Sequence, residues 1–167
     1  MLWLQSLNLD YAFWLTISAI FILLLLSAFF SGSETALTAA SRGKLQTQAD
    51  KGSRGASRAL SITEDNERLI GSVLLGNNLV NILATSLATA LFTKLVGESS
   101  VALATLVMTV LVLIFAEVLP KTYAITNAER AAARVSAPIA LLVSIFDPYF
   151  KYQSIDKSDV FSISQWS

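Results

Sequence analysis

The sequence contains no cysteine and no histidine among its 167 residues. Without cysteine there can be no disulfide bond, thiolate metal site or cysteine nucleophile. Without histidine the chain lacks the commonest general base and transition-metal ligand, and it cannot form a Ser-His-Asp triad. These absences leave few catalytic options, and we expect that the protein is not an enzyme.

Charge is also scarce. Charged residues make up 14% of the chain and hydrophobic residues 54%, whereas soluble domains carry about 25% charged residues. The net charge is zero and no long basic tract is present, so we expect no nucleic-acid partner. A membrane-crossing helix needs about 20 apolar residues, and uncharged windows of about that length lie between Asp10 and Glu34, between Arg68 and Lys94, and between Glu98 and Glu117. The sequence therefore predicts a multi-pass protein of the lipid bilayer.

The predicted fold is an all-α membrane protein with three transmembrane helices and juxtamembrane amphipathic helices. We place the membrane domain at 1–150, with a polar tail of no assigned structure at 151–167. The "SITE" motif at 61–64 resembles a capping box, which predicts that the second helix begins near Ser61. The N-terminal apolar run is too long for a signal peptide and has no basic residue before it, which favours a retained helix. The predicted spans are about 11–30, 69–93 and 101–120, and the juxtamembrane helices are about 33–60 and 128–150.

Basic residues predict the orientation, because cytoplasmic loops are enriched in lysine and arginine. The N-terminal flank has no basic residue, and the connection between the second and third spans has only Lys94. We therefore expect an N-terminus outside, a C-terminus in the cytoplasm, and a location in the inner (plasma) membrane. The remaining basic residues near the spans fall in the first connection (Arg42, Lys44, Lys51, Arg54, Arg58, Arg68) and after the third span (Lys121, Arg130, Arg134, Lys151).

Three polar motifs interrupt the spans: "SGSET" at 31–35, "GNNLVN" at 76–81 and "AEVLP" at 116–120. With the predicted orientation, all three lie at a similar depth in the inner half of the bilayer. Asn77 and Asn81 are four residues apart and share a helix face. Pro120 has no N–H group and leaves the carbonyl of Ala116 without its usual donor.

Together with Ser31 and Glu117, these groups form an all-oxygen cluster with one formal charge. Such oxygens suit Mg²⁺, Ca²⁺ or Mn²⁺. An ionisable group within a span is a functional candidate by default, although pairing of Glu117 with Lys121 would be a structural alternative. Asn78, Ser33, Thr35 and Ser72 are better explained as structural hydrogen-bonding groups.

The motifs "FFSGSETAL" (29–37), "LLGNNLVNI" (74–82) and "EVLPKTYA" (117–124) resemble the transmembrane domain of the CorC/CNNM family of magnesium transport proteins. The resemblance covers about residues 10–150. It implies a homodimer that exports Mg²⁺, coupled to Na⁺ entry, and binds the dehydrated ion at an inward-facing site. By motif match the ligands are Ser31, Asn77, Asn81 and Glu117, completed by backbone carbonyls such as that of Ala116.

Two features depart from this family pattern. Ala116 stands where the family often has glycine, and the cytosolic CBS domains usual in the family are expected to be absent from this chain. The alternative function is a non-transporting ion sensor or membrane scaffold, in which the bound cation stabilises a dimer.

Overall fold

A computed structural model describes residues 2–97 and 101–164, and all the regular elements in these ranges are helical. The predicted all-α fold is therefore confirmed. The elements, in chain order, are α1 (Leu2–Ala39), α2 (Arg42–Asp50), α3 (Arg54–Thr63), α4 (Asn66–Val96), α5 (Val101–Leu111), a π-helical segment (Val112–Val118), α6 (Leu119–Thr126) and α7 (Ala128–Ser164).

Three helical runs are long and apolar enough to cross a membrane: Tyr11–Ala39, Asn66–Leu95 and Val101–Thr126. This confirms the three predicted spans. Their large apolar side chains point outward, as at Phe21 and Leu106, which are 61% and 62% exposed. Such exposure is unfavourable in water but places apolar atoms against lipid chains, which are equally apolar.

The predicted end of the first span at residue 30 is wrong, because α1 continues to Ala39. No proline interrupts the "SGSET" motif, and two threonine hydroxyls of this region bond within the helix. Thr35 Oγ1 donates to the carbonyl of Ser31 at 3.1 Å, and Thr38 Oγ1 donates to that of Glu34 at 2.8 Å. Residues 33–39 therefore extend the span, and the expected juxtamembrane helix at 33–60 is instead the pair α2 and α3.

The second span begins at Asn66, and the predicted capping box at Ser61 is wrong because Ser61 lies inside α3. The N-cap is Asp65, whose carboxylate accepts a hydrogen bond from the backbone N–H of Arg68 at 3.1 Å. Aspartate is a favourable N-cap because it satisfies one of the free N–H groups of the first turn. Glu67 adds negative charge in that turn, near the positive end of the helix dipole.

The third span also passes its predicted end at residue 120 and continues through α6 to Thr126. The chain accommodates Pro120 by widening the preceding turns into the π-helical segment, where Leu119 N–H donates to the carbonyl of Ile114, five residues earlier. Pro120 is the second residue of α6, and because the helix runs on from Val118 without a break, its missing N–H leaves one carbonyl of the preceding turn without its usual donor.

A C-terminal helix was expected over about 128–150, and no structure was assigned to the tail at 151–167. The helix continues through 151–164, because α7 extends from Ala128 to Ser164. Residues 151–164 contain neither glycine nor proline, which removes the commonest causes of helix termination. Residues 165–167 of the tail lie outside the described ranges.

Helices α2 and α3 pack against α7. Gly55 of α3 lies so close to the carbonyl of Ala133 that an added Cβ would overlap it. Ala56, Ala59 and Ala132 are fully buried nearby in the same core. Small side chains therefore allow α3 and α7 to approach closely.

A salt bridge between Lys44 Nζ and Glu129 Oε1, at 3.1 Å, joins α2 to α7. Hydrogen bonding to its own backbone N–H and to Lys44 lowers the pKa of Glu129 below its ordinary value of 4.5. The contribution of this pair to stability is thus present above pH 4.5 and is lost as the pH falls through the lowered pKa. Since Lys44 is largely exposed, the contribution is small.

The Gly55 contact generates a test of the α3–α7 packing. We expect Gly55→Ala to lower the free energy of unfolding by about 1–3 kcal/mol, the usual cost of overpacking. Gly43→Ala is the matched control, because Gly43 also lies in a juxtamembrane helix but has no atom within 4 Å of an added Cβ. Thermal melting in mild detergent measures both variants, and equal melting temperatures would contradict the close packing.

Candidate cation site within the transmembrane bundle

A hydrogen bond between α1 and α4 fixes the first part of the candidate site. Ser27 Oγ donates to Asn77 Oδ1 at 2.9 Å, and Ser27 is fully buried. Beside this bond, an added Cβ at Gly76 would lie 3.1 Å from the ring of Phe30, so glycine gives the ring room. Ser27 was not among the predicted site residues, although it lies one helical turn before Ser31 and on the same face.

Two predicted ligands are buried and lack partners. Ser31 is fully buried, and neither its Oγ nor the buried Oδ1 of Asn81 has a hydrogen-bond partner among the described residues. Buried polar atoms are ordinarily hydrogen-bonded, so each of these oxygens retains the capacity to bind an additional group. The Oγ atoms of Ser33 and Ser72 share this property, although neither residue was predicted as a ligand.

Glu117 lies in the π-helical segment and is partly buried. No other described residue forms an ion pair or hydrogen bond with its carboxylate. The alternative in which Glu117 pairs with Lys121 is therefore wrong in this structure; Lys121 is exposed. The carboxylate is available to a cation.

Glu117 lines a cavity of about 190 Å³ between α4, α5 and the π-helical segment. Thr85 and Thr109 provide hydroxyls to this cavity, and the remaining lining residues are Met108, Val112 and Leu113. The sequence analysis did not identify either threonine. The available signal was spacing, because Thr85 follows Asn81 by four residues and therefore shares its helix face.

The predicted ligands thus fall into two neighbouring parts of the bundle. Ser27 binds Asn77 at the α1–α4 contact, while Glu117 shares its cavity with Thr85, one turn beyond Asn81. Thr85 Oγ1 donates to the carbonyl of Asn81 at 2.9 Å, which connects the two turns. Within the described ranges no hydrogen bond joins Glu117 to Ser31, Asn77 or Asn81. Their joint coordination of one ion stays a prediction.

The π-helical segment changes which backbone carbonyls Pro120 leaves without a donor. In α-helical register the missing N–H would have bonded Ala116, and in the five-residue register of this segment it would have bonded Phe115. Ala116 is fully buried. The predicted backbone ligand was the Ala116 carbonyl; the π-helical register was not predicted, and neither was the carbonyl of Phe115.

The described residues contain no cluster of three or more carboxylate, histidine or cysteine side chains that could hold a metal ion. At the predicted ligands, a cation would be bound by the carboxylate of Glu117 and by the neutral oxygens of Ser31, Asn77 and Asn81. Such a donor set suits hard cations, which prefer carboxylate, carbonyl and hydroxyl oxygens.

Comparison with known proteins agrees with this architecture. Residues 18–154 match the family described as "Cyclin M transmembrane N-terminal domain". Over 121 residues the chain is 46% identical to the "UPF0053 inner membrane protein YfjD" of Escherichia coli K12; the match covers 71% of this chain and 28% of that protein. A "UPF0053 protein" of Haemophilus influenzae is 38% identical over 136 residues, with 79% of this chain and 32% of the relative covered.

A more distant relative has a functional name. A "Polyamine export protein" of Salmonella typhimurium is 32% identical over 146 residues, which cover 80% of this chain and 33% of that protein. The chain spans about a third of the length of each of these three relatives.

We expect substitutions of two buried serines, Ser27 and Ser72, to change the free energy of unfolding by different amounts. Ser27→Ala removes the bond to Asn77 and should lower the free energy of unfolding by about 0.6 kcal/mol, the average for hydrogen bonds between membrane helices, and by no more than about 1.7 kcal/mol. Ser72→Ala should have no effect or a stabilising one, because the hydroxyl of Ser72 has no partner to lose. Thermal melting in ion-free buffer compares them. A larger loss in Ser72→Ala than in Ser27→Ala would contradict the assigned hydrogen bonding.

Proposed function

The chain belongs to the cyclin M transmembrane-domain family, and we propose that it transports Mg²⁺ out of the cytoplasm, coupled to Na⁺ entry. The proposed role is binding and translocation, without a chemical reaction. The three membrane-crossing helices and the export function named for a relative support membrane transport. The choice of Mg²⁺ rests on the donor atoms in the bundle.

The proposal rests on side-chain oxygen atoms at predicted ligand positions that have no hydrogen-bond or ion-pair partner among the described residues. Ser31 Oγ and Asn81 Oδ1 are buried without partners, and Glu117 has a carboxylate without an ion pair among the described residues. Leaving such groups unpaired is costly away from water. A bound cation would satisfy all three.

We propose that Mg²⁺ binds to Ser31, Asn77, Asn81 and Glu117, with a carbonyl near Pro120 completing the set. Asn77 already accepts from Ser27, but an amide oxygen has a second lone pair that can coordinate the ion. Mg²⁺ requires near-octahedral oxygens at about 2.0–2.1 Å and releases water reluctantly. The charge of Glu117 supplies the main attraction that offsets this dehydration.

The direction of transport follows from the predicted orientation, in which the basic residues of α2 and α3 face the cytoplasm. Export against the membrane potential requires an energy source, and Na⁺ entry is the coupling that the family resemblance implies. Na⁺ is also a hard cation and could use the same oxygen donors. The proposed location is the inner membrane, as the name of the YfjD relative states for that protein.

We also propose that two copies of the chain associate through the membrane region. On α4, Asn78 is exposed, and its side chain forms no hydrogen bond with another described residue. On α5, Thr105 and Thr109 are also exposed, although their hydroxyls donate to the carbonyls of Val101 and Thr105. An unpaired amide is unfavourable in lipid, so coverage of Asn78 by a second copy would stabilise this surface.

Polyamine export is a second candidate function. One similar protein is named for that activity, and the Glu117 cavity combines a carboxylate and hydroxyls with apolar walls. A polyamine ammonium group would pair with the carboxylate while its methylene chain contacts Met108, Val112 and Leu113. The non-transporting sensor or scaffold is the third alternative.

Glu117→Gln tests the cation site directly. The amide preserves the size of the side chain but removes its charge, so Mg²⁺ binding measured by calorimetry should be abolished. Ser31→Ala and Asn77→Ala should weaken binding less. The melting temperature of Glu117→Gln in ion-free buffer should equal or exceed that of the wild type, because an unpaired carboxylate within a span is unfavourable.

The matched control is Glu67→Gln, which removes an exposed carboxylate in the first turn of α4. This variant should bind Mg²⁺ normally. If Glu117→Gln binds as well as Glu67→Gln does, the site lies elsewhere.

Flux through sealed proteoliposomes separates the candidate functions. For the proposed function we expect Mg²⁺ flux that depends on an opposing Na⁺ gradient and disappears in Glu117→Gln. Spermidine flux in place of Mg²⁺ flux would favour polyamine export. Mg²⁺ binding without any flux would favour the sensor or scaffold. Mg²⁺ flux that does not depend on the Na⁺ gradient would reject the coupling to Na⁺ entry.

A further inference from the structure

A second cleft, separate from the candidate cation site, lies between α1, α6 and α7. Its volume is about 200 Å³. Its lining residues lie at 28–33 in α1, at 120–124 in α6 and at 131–135 in α7, so it is located where two of the membrane spans meet the C-terminal helix. The lining residues used below are Phe29, Ser33, Pro120, Tyr123, Arg134 and Val135.

The walls of the α1–α6–α7 cleft are largely apolar. Phe29, Pro120 and Val135 contribute hydrocarbon surfaces, and Tyr123 is 58% exposed. Tyrosine is enriched at membrane interfaces, where its ring contacts lipid chains and its hydroxyl reaches water. These walls suit a hydrocarbon chain and offer little to a small soluble anion.

Two polar residues, Arg134 and Ser33, also line the cleft. Arg134 is exposed and forms no ion pair with any other described residue. Ser33 is fully buried, and its Oγ has no hydrogen-bond partner in the described part of the chain. A guanidinium group binds phosphate through two parallel N–H donors. The cleft therefore combines an unpaired cation, an unpaired hydroxyl and a hydrocarbon surface.

We propose that the α1–α6–α7 cleft binds one anionic phospholipid. An acyl chain packs against Phe29, Tyr123 and Val135, and the phosphate binds Arg134. Ser33 Oγ donates to an ester oxygen, which satisfies its buried hydroxyl. The lipid would also contact Pro120, the residue at which the π-helical segment that carries Glu117 gives way to α6. This proposal does not depend on the identity of the transported cation.

Native mass spectrometry of the detergent-purified chain, titrated with phosphatidylglycerol or phosphatidylcholine, tests the site. The wild type should retain one phosphatidylglycerol molecule in preference to phosphatidylcholine. Arg134→Gln should weaken phosphatidylglycerol binding about tenfold, the loss expected for a charge-assisted hydrogen bond. Val135→Trp should also reduce binding, because the larger ring fills the cleft.

Arg130→Gln is the matched control, because Arg130 is an exposed arginine one turn earlier on α7 that does not line the cleft. It should bind phosphatidylglycerol within about twofold of the wild type, a difference of less than 1 kcal/mol. Equal losses in Arg130→Gln and Arg134→Gln would overturn the proposal, since they would indicate general attraction to basic residues. Unchanged binding in Arg134→Gln, or equal retention of both lipids by the wild type, would overturn it as well. If Arg134→Gln melts at the wild-type temperature in the absence of lipid, its weaker phosphatidylglycerol binding arises from the change in the cleft and not from unfolding.

Discussion

The hydrocarbon core of a bilayer offers no hydrogen-bond partners, and this constraint organises the polar groups of the three spans. Most of them find partners inside the protein. Threonine hydroxyls donate to the carbonyl four residues earlier, as Thr85 does to Asn81 and Thr109 does to Thr105. Ser27 bonds to Asn77 across the α1–α4 contact. Against this background, the unpaired oxygens of the candidate site are exceptions that require an external partner.

The π-helical segment is the second consequence of that constraint. Pro120 cannot donate a hydrogen bond. If the third span ended at Pro120, the backbone polar groups of its last turn would lie within the membrane region without partners. The chain instead widens its turns over Val112–Val118 and resumes an α-helix that reaches Thr126. Glu117 is located in these widened turns, beside the hydroxyls of Thr85 and Thr109. π-helical turns are frequently found at functional sites.

Helices α2 and α3 lie between the first two candidate spans in the chain and pack against α7. Helix α3 approaches α7 at Gly55, and Lys44 joins α2 to Glu129 of α7. Helix α7 also packs against α1 and α4. Through these contacts, helices α2, α3 and α7 form one packed unit with the spans that hold the candidate ligands. The α1–α6–α7 cleft lies at their junction.

The spacing of charged residues along the chain determined the all-α membrane fold and the number of spans, because the free energy of placing a residue in lipid depends on that residue and its near neighbours. The motifs likewise indicated Ser31, Asn77, Asn81 and Glu117. Tertiary structure decided the extension of α1 to Ala39, the bond from Ser27 to Asn77 and the cavity that Glu117 shares with Thr85. Such contacts depend on which helices lie side by side and on their rotation, and the sequence of any single helix does not specify either.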